Sequence, residues 1–313
     1  MRTRRTLAYL VFASCIVVGV VKNQAAEVRS GDWTISKSDS PGKVEFSLIE
    51  HRHGGSSSHE SDWPMSSFQG VDFSKPGRQD VRFTIARDAG KLDCEGFLND
   101  GEGAGLFHFQ QDPNYVREMN TLGFSVDDEK QFTMAVMDVS LEFAKQMKGE
   151  GLSDLDADKL IAFRIFRVDS AFIHDLRAEG LKISDSDKLV AFRIHGVTPE
   201  MVRSLHQAGY TPDPNMLIAM RIHGATPEWM EQLKQRGYDH MEMEKLIAFR
   251  IHGVSPEFIE KLQGLGYSHP DPEQLIAMRI HNVTPEYISD MKSRGMHDLS
   301  IDKLVEMRIH GID

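Results

Sequence analysis

Cysteine is scarce in this chain, which contains only Cys15 and Cys94. Two thiols cannot form a disulfide framework or a cysteine-rich zinc site. Basic residues are outnumbered, with 36 Lys and Arg against 47 Asp and Glu and a net charge of −11, so we expect no nucleic-acid partner. With 25 Gly and 12 Pro, collagen-like and low-complexity chains are excluded, and 40% apolar residues over 313 positions indicate a globular protein with room for two domains.

Motifs that carry common catalytic chemistry are also missing. We find no phosphate-binding glycine loop, no nucleophile elbow and no His-Glu-x-x-His helix. Gly101, Gly103 and Gly105 are interpreted as turn residues, and a Cys94–His108 dyad has no support beyond composition. The sequence therefore predicts a protein that is not an enzyme and needs no cofactor, with a hydrolase as a minor third hypothesis.

The first 26 residues have the layout of an export signal. Arg2, Arg4 and Arg5 precede an apolar run over 7–21, and Ala25 and Ala26 offer small residues for cleavage. Because a spanning helix needs about 20 apolar residues, cleavage is favoured over an uncleaved anchor. Lipidation at Cys15 is a further alternative, although the apolar run continues beyond it. We expect an exported, periplasmic or secreted protein that touches a membrane only if this segment is retained.

The second half of the chain is a repeat of 28–29 residues. The block Leu-Ile-Ala-Phe-Arg-Ile-His-Gly at 246–253 recurs with small changes along 160–313. One column consists of arginines and another of histidines, at Arg164, Arg193, Arg221, Arg250, Arg279 and Arg308, and at His195, His223, His252, His281 and His310. Such periodicity predicts an α-solenoid.

Each unit is predicted to be a helix-turn-helix pair. Its first helix starts at a hydroxyl N-cap followed by Pro and Glu, at Thr198, Thr226, Ser255 and Thr284, and it stops at Gly209, Gly237 or Gly266. The second helix starts near Asp185, Asp213 and Asp271 and ends at Gly196, Gly224 or Gly253. Degenerate units extend the register back to residue 112, which predicts seven first helices and six second helices.

Two interpretations of the arginine column stay open. Arg193 falls on the apolar side of a helix that we expect to be sandwiched between others, so each guanidinium needs acceptors. It could bond helix-end carbonyls or acidic caps of an adjacent unit, or the column could form a basic ladder for an acidic ligand. The histidines occupy last turns, where an imidazole can cap carbonyls. Metal binding is disfavoured because stacked helices lie about 8–10 Å apart, and a pH response of the array is a further alternative.

Residues 27–111 show the alternation of β-strands. The pattern is clearest at 33–36, 43–48, 81–85 and 106–109, and it predicts a small antiparallel β domain that could be a sandwich. The segment 51–62 is predicted as a Gly/Ser-rich loop in which His51, His53 and His59 are weak candidates for zinc or copper ligands. Trp33 and Trp63 could offer a sugar-binding platform, but core packing is favoured.

The repeated block at 160–313 resembles repeats in uncharacterised exported bacterial proteins, and is similar to the tails of some beta-lactam-sensor-like membrane metallopeptidases. The resemblance covers about half of the chain and includes none of the peptidase motif. It implies an extracytoplasmic bacterial setting and an accessory, sensing or binding role.

Together these patterns predict an α+β protein, mainly α, with a signal at 1–26, a β domain at 27–111 and a solenoid of about six two-helix repeats at 112–313. The leading function is a non-enzymatic scaffold for a protein partner, bound at exposed variable positions such as Arg236, Gln263 and Arg294. The alternative is an envelope sensor in which the β domain binds a ligand or metal and the array transmits the signal.

Overall fold

A computed structural model describes residues 29–52 and 55–312, and the predicted signal at 1–26 lies outside them. Within these ranges the chain forms one six-stranded antiparallel sheet followed by fourteen α-helices. The predicted α+β fold, mainly α, is confirmed. The strands are β1 Arg29–Lys37, β2 Lys43–Arg52, β3 Gly55–Pro64, β4 Arg78–Arg87, β5 Gly90–Asn99 and β6 Glu102–Gln111, in the order β3-β2-β1-β6-β5-β4.

The strands form a single sheet with one apolar face, so the suggested sandwich is wrong. Alternate side chains of the central strands meet on that face, where Trp33, Phe46 and Phe83 are buried within edge-to-face ring contacts. The turn after β3 adds Phe68, whose ring lies 5.4 Å from that of Phe83. Trp63 also lies in this core, and because both tryptophans are buried neither forms a sugar-binding platform.

Two strand glycines leave room for the Trp33 indole to lie across the neighbouring strands β6 and β5. A Cβ atom at Gly96 or at Gly105 would lie 2.7 Å from the indole, which donates from Nε1 to the Glu95 carbonyl at 3.2 Å. Gly103 and Gly105 therefore belong to β6 and are not turn residues, whereas Gly101 does lie in the β5–β6 turn with φ of 86°.

The helices follow directly, and the predicted boundary between residues 111 and 112 falls between β6 and α1. They are α1 Pro113–Thr121, α2 Asp128–Val136, α3 Leu141–Gly149, α4 Ala157–Phe166, α5 Ser170–Ala178, α6 Ser186–His195, α7 Pro199–Gln207, α8 Pro214–His223, α9 Pro227–Lys234, α10 Met243–His252, α11 Pro256–Gly264, α12 Pro272–Ile280, α13 Pro285–Ser293 and α14 Ile301–Ile309.

Alternate helices stack on each other to form two columns. The even-numbered second helices contact one another in an unbroken series from α2 to α14, and the odd-numbered first helices pair in the same manner, for example α5 with α7 and α7 with α9. Helices of eight to ten residues are marginal alone and must bury apolar side chains between units. A leucine column does this in the second helices, at Leu160, Leu189, Leu217, Leu246, Leu275 and Leu304.

The local signals for helix ends are confirmed. Thr198 Oγ1 accepts from the Met201 amide at 3.2 Å, and the equivalent hydroxyls cap α9, α11 and α13. Gly209 has a φ of 87°, and Gly196 ends α6 in the left-handed region. The predicted count of six second helices is wrong, because α2 makes a seventh.

Helix α2 was missed because its environment is not that of the later units: it covers the sheet. Phe132 is buried against Phe107 and Phe109, with ring centroids 5.9 and 5.2 Å apart. Gln131 donates from Nε2 to the carbonyls of Ala89 and Asp112, both at 2.8 Å, and so ties the β4–β5 turn to the start of α1. Sheet and array therefore share one continuous apolar core.

The described helices include none with both the length and the apolar character needed to cross a bilayer.

Candidate functional site

One edge of the array collects the ends of the second helices and the starts of the first helices. α6, α8 and α10 end at Gly196, Gly224 and Gly253, and each next helix begins two or three residues later. Arg, Ile and His follow one another at the ends of α6, α8, α10, α12 and α14, and α4 ends in Arg164, Ile165 and Phe166. The repeated columns noted in the sequence therefore all lie along this edge.

The arginine column is exposed, and its Nε atoms connect successive units. Arg221, Arg250 and Arg279 donate from Nε to the backbone carbonyls of the histidines in the preceding units, at 3.0, 3.1 and 3.3 Å. Arg164 makes the equivalent bond to Met137 at 3.0 Å and an ion pair with Asp138 at 2.9 Å. The structural interpretation of the column is therefore confirmed for these four residues, but the expectation of burial on the apolar side is wrong.

In five of the six units the guanidinium also lies over an aromatic ring of the first helix in its own unit, and Arg221 is the exception because α7 has Met201 at that position. The distance from Arg Cζ to the ring centroid is 3.7 Å for Arg193 over Phe172 and 5.1 Å for Arg250 over Trp229. Such cation–π contacts stabilise exposed sites by about 0.5–1 kcal/mol. The same arrangement recurs for Arg164 over Phe143, Arg279 over Phe258 and Arg308 over Tyr287.

Glycine at the helix end allows the arginine of the next unit to approach. A Cβ at Gly224 would lie 2.6 Å from Nη2 of Arg250, and one at Gly196 would lie 2.8 Å from Nη2 of Arg221. Where the C-cap is Arg167, which is left-handed with φ of 57°, Arg193 makes no such carbonyl bond and lies closest to its ring.

The isoleucine next to each arginine is exposed to solvent. The exposed fraction runs from 50% for Ile165 to 57% for Ile309, with Ile194, Ile222, Ile251 and Ile280 between them. The expectation that the second helices are sandwiched on nearly all sides is therefore wrong. We name this surface the Arg–Ile stripe, which comprises Arg193, Ile194, Arg221, Ile222, Arg250, Ile251, Arg279 and Ile280 and is flanked by Arg164, Ile165, Arg308 and Ile309.

The five histidines that follow the stripe do not have the predicted capping role. Among the described residues, no imidazole of His195, His223, His252, His281 or His310 donates or accepts a hydrogen bond. Three of these residues instead offer their backbone carbonyls to the arginines. The arginine is thus the side chain that caps the preceding second helix.

The opposite ends of the second helices carry a ladder of ion pairs that sequence reasoning missed. Lys130 pairs with Asp158 at 2.9 Å, and Lys159 and Lys245 pair with Asp187 and Glu273 of their next units. The signal was present, since an acid–lysine pair recurs at the start of most second helices with the period of the repeat. Charges at these ends are therefore largely satisfied within the array.

The exposed variable positions that were expected to bind a partner are engaged within the fold. Arg236 pairs with Glu260 at 2.9 Å, and Gln263 donates to the Arg236 and Ser268 carbonyls at 3.4 and 3.3 Å. Arg294 pairs with Asp290 at 2.7 Å within one helix. These contacts favour the repeated columns over the variable positions as the candidate surface.

The open face of the sheet forms a shallow concavity of about 1070 Å³. Its walls include Asp32, Arg82, Glu95 and Leu106, and Arg82 and Glu95 lie 3.5 Å apart as an ion pair. Leu106 is 51% exposed.

Cys94 and His108 do not approach each other as a dyad would. Cys94 pairs with Phe107 and His108 with Asp93, so the two side chains belong to opposite faces of the sheet. Burial raises the pKa of the Cys94 thiol to about 12, which leaves it protonated at neutral pH.

The predicted metal loop is mostly a β-hairpin. His51 pairs with Ser56 and His59 with Leu48, an odd separation along β2, so His51 and His59 occupy positions on opposite faces. His53 lies outside the described residues. The ring of His59 lies 6.1 Å from that of Phe132, which places it at the junction with α2. The register of β2 and β3 therefore does not place His51 and His59 on one face.

The fold and this edge define an α-solenoid joined to an antiparallel sheet. No family model, no curated protein and no solved structure matches the chain. The candidate surfaces of this protein are therefore the Arg–Ile stripe and the open sheet face.

Proposed function

We propose that this protein is a non-enzymatic binding scaffold and that the Arg–Ile stripe is the docking surface for a protein partner. The observation that carries the proposal is the row of half-exposed isoleucines on one edge. A single exposed apolar side chain is ordinary in a folded protein, whereas a contiguous apolar patch rimmed by polar groups marks interaction surfaces.

The arginines support the same proposal. Each guanidinium of the stripe contacts a ring, a carbonyl of the preceding unit, or both, as Arg250 does, so its position is restricted before a partner binds. Pre-organised side chains lose less conformational entropy on binding, and Arg is enriched in protein interfaces. The array therefore combines apolar area with fixed donors in each unit.

A second candidate function is favoured by the open sheet face. Its concavity is large enough for a small ligand, and apolar Leu106 stands among the charged groups Asp32, Arg82 and Glu95. Under this alternative the sheet binds a ligand in the cell envelope, and the contacts of Gln131 with the β4–β5 turn transmit the event to the array.

The cellular setting belongs to the same proposal. The basic and apolar layout of residues 1–26 and the resemblance to repeats of exported bacterial proteins support an exported protein, periplasmic or secreted. In that setting a scaffold without chemistry of its own would act through the partner that it holds.

Site-specific photo-crosslinking in the native cell tests the proposal. A benzophenone side chain replaces Ile222, Ile251 or Leu106 in separate variants, with Gln207 and Gln235 as exposed control positions on first helices. We expect the same crosslinked partner from both stripe positions and none from the controls. Adducts from Leu106 alone would support the sensor alternative, and adducts of equal yield from every position would overturn the scaffold proposal.

A further inference from the structure

Four arginines of the stripe make no ion pair within the described part of the chain: Arg193, Arg221, Arg250 and Arg279. Arg221, Arg250 and Arg279 use Nε for the inter-unit carbonyl bond. An aromatic ring covers one face of the guanidinium in Arg193, Arg250 and Arg279. Since a guanidinium has five N–H donors, its Nη edge keeps capacity for a bidentate acceptor.

The nearby carboxylates of Glu228 and Glu200 form hydrogen bonds at the N-caps of the first helices. Glu228 bonds its own backbone amide and the Thr226 hydroxyl, and these bonds lower its pKa, with a smaller contribution from the charge of Arg221. Glu200 has the same two hydrogen bonds with its own amide and Thr198. These acids complete the N-caps of the first helices, so they do not neutralise the arginine row.

Cations at the other end of the second helices do form ion pairs. There Lys159 and Lys245 are neutralised by acids of the next units. Among the described residues, the array therefore pairs cations such as Lys159 and Lys245 along one edge, whereas Arg193, Arg221, Arg250 and Arg279 have no ion pair along the edge that also exposes isoleucine. Because the whole chain carries a net charge of −11, this stripe is a local exception. Its complement is a partner segment that is acidic and apolar.

The spacing of the units selects the conformation of that segment. Packed neighbouring helices lie about 8–10 Å apart, which sets the step of the stripe. A polyproline II segment advances about 9.3 Å in three residues and returns its side chains to the same side. An α-helix needs about 10.5 Å for two turns and drifts about 20° each time, and a β-strand repeats a face about every 6.6 Å.

We propose, on the basis of the scaffold function above, that the Arg–Ile stripe binds an extended acidic segment of a partner protein. One triplet of the segment occupies each unit. Its apolar side chain contacts the isoleucine, and its carboxylate accepts hydrogen bonds from the Nη edge of the adjacent arginine.

Fluorescence anisotropy with synthetic peptides tests this assignment on the purified full chain. The probe is a labelled peptide of five Leu-Pro-Glu triplets. One control peptide has Gln in place of Glu, and a second inserts Gly after each triplet. We expect the probe to bind at least about ten-fold more tightly than either control. Its affinity should rise with each triplet added from two to four, because the stripe has four Arg–Ile pairs.

Two triple variants of equal net charge distinguish the contribution of the stripe arginines to binding from that of overall charge. Arg221→Met, Arg250→Met and Arg279→Met together should weaken binding about thirty-fold, since an exposed ion pair contributes about three-fold in affinity. Arg177→Met, Arg203→Met and Arg236→Met remove the same charge outside the stripe and should weaken it less than about three-fold. Melting temperatures of both triple variants identify any general loss of fold.

Three outcomes would overturn the extended acidic partner: no binding of the probe, equal binding of all three peptides, or a dimer that depends on the stripe in sedimentation velocity. If photo-crosslinks at Ile222 and Ile251 persist while the peptides fail, the scaffold function stands and only the partner class is wrong. If the crosslinks fail as well, both proposals are wrong.

Discussion

The sheet and the helical array each leave one face uncovered, but they do so in different ways. On the open face of the sheet, Leu106 stands among charged and polar side chains that pair with each other, such as Arg82 with Glu95 and Thr84 with Asp93. On the edge of the array the same apolar residue recurs in six units. Repetition converts an ordinary exposed side chain into a continuous surface, and that difference is the basis for assigning the docking role to the array.

The two regions are also stabilised differently. The sheet is built from consecutive strands and joined through the pairing of β1 with β6, which lie far apart in sequence. The array depends on neighbouring units and should lose stability locally when one unit is damaged. Helix α2 belongs to both regions, because its Phe132 is buried between aromatic residues of the sheet while α2 also contacts α4.

The largest effect is expected for Phe132→Ala. Loss of a fully buried phenylalanine should lower the free energy of unfolding by about 3–5 kcal/mol. Because the residue joins the two regions, we expect the urea midpoints of both sheet and array to fall. Tryptophan fluorescence in a Trp229→Phe background, where Trp33 and Trp63 of the sheet remain, and circular dichroism of the helices measure this.

Phe192→Ala serves as the control, because Phe192 is equally buried in α6 and lies away from the sheet. Phe192→Ala should lower the urea midpoint measured by circular dichroism of the helices more than the midpoint measured by fluorescence. An unchanged fluorescence midpoint in Phe132→Ala would show that the sheet does not depend on α2.

A second comparison lies within one helix. Leu246→Ala should destabilise the protein by about 2–5 kcal/mol, because Leu246 is buried between units, whereas Ile251→Ala should change stability by less than about 0.5 kcal/mol. Thermal and urea unfolding of both variants measure the difference. A loss of several kcal/mol in Ile251→Ala would place the isoleucine in the core and remove the reason for assigning it to a partner.

The sequence alone predicted most of the helices but not every strand. The repeat register, the Thr and Asp caps and the terminal glycines predicted the helices, because capping is local chemistry. β3 was interpreted as a loop because its Ser-rich sequence lacks apolar alternation, and pairing with β2 overrides that weak propensity.

The stripe could not be derived from the sequence for a different reason. Ile194 and Leu189 are equally apolar, and only the packing of neighbouring units decides that Leu189 is buried and Ile194 exposed. The arginine column was correctly linked to helix-end carbonyls in most units, but its exposure depends on the same packing. The ladder of Lys159 and Asp187 needed the stacking geometry to be recognised.

A smaller effect is expected at the helix ends. Gly224→Ala places a Cβ at a φ of 72° and 2.6 Å from Nη2 of Arg250, so it should cost about 1–2 kcal/mol for the left-handed backbone and up to about 1 kcal/mol for the displaced arginine.

Gly209→Ala is the matched control, since it has a φ of 87° and open space around the position. The difference between the two variants should vanish when Arg250→Met is also present. If the difference persists in that background, Arg250 does not pack on this glycine as described.

The smallest expected effect is on the stability of the fold at low pH. Hydrogen bonds from their own backbone amides, and then from the capping hydroxyls, lower the pKa of Glu228 and Glu286. For Glu257 the bond with the Ser255 hydroxyl lowers the pKa most, followed by the bond with its own amide. A folded-state pKa below the usual 4.5 means that this stabilisation is complete above about pH 4.5 and is lost as pH falls further.

In the sheet, a hydrogen bond with Glu45 raises the pKa of Glu60, so its contribution has the opposite sign and is lost as pH rises. Melting curves between pH 6 and pH 3 should therefore show a shallower acid decline when Glu228, Glu257 and Glu286 are all replaced by Gln. An unchanged slope in that triple variant would contradict the capping role.

The most direct test of the central claim combines stability and binding in one variant. Ile222→Ser, Ile251→Ser and Ile280→Ser are introduced together, and a benzophenone side chain at His252, beside the stripe, reports on partner contact in the native cell. We predict a melting temperature within about 3 °C of the unmodified protein and a crosslinking yield at least about ten-fold lower. A native melting temperature with an undiminished yield would contradict the assignment of the isoleucine row to a partner.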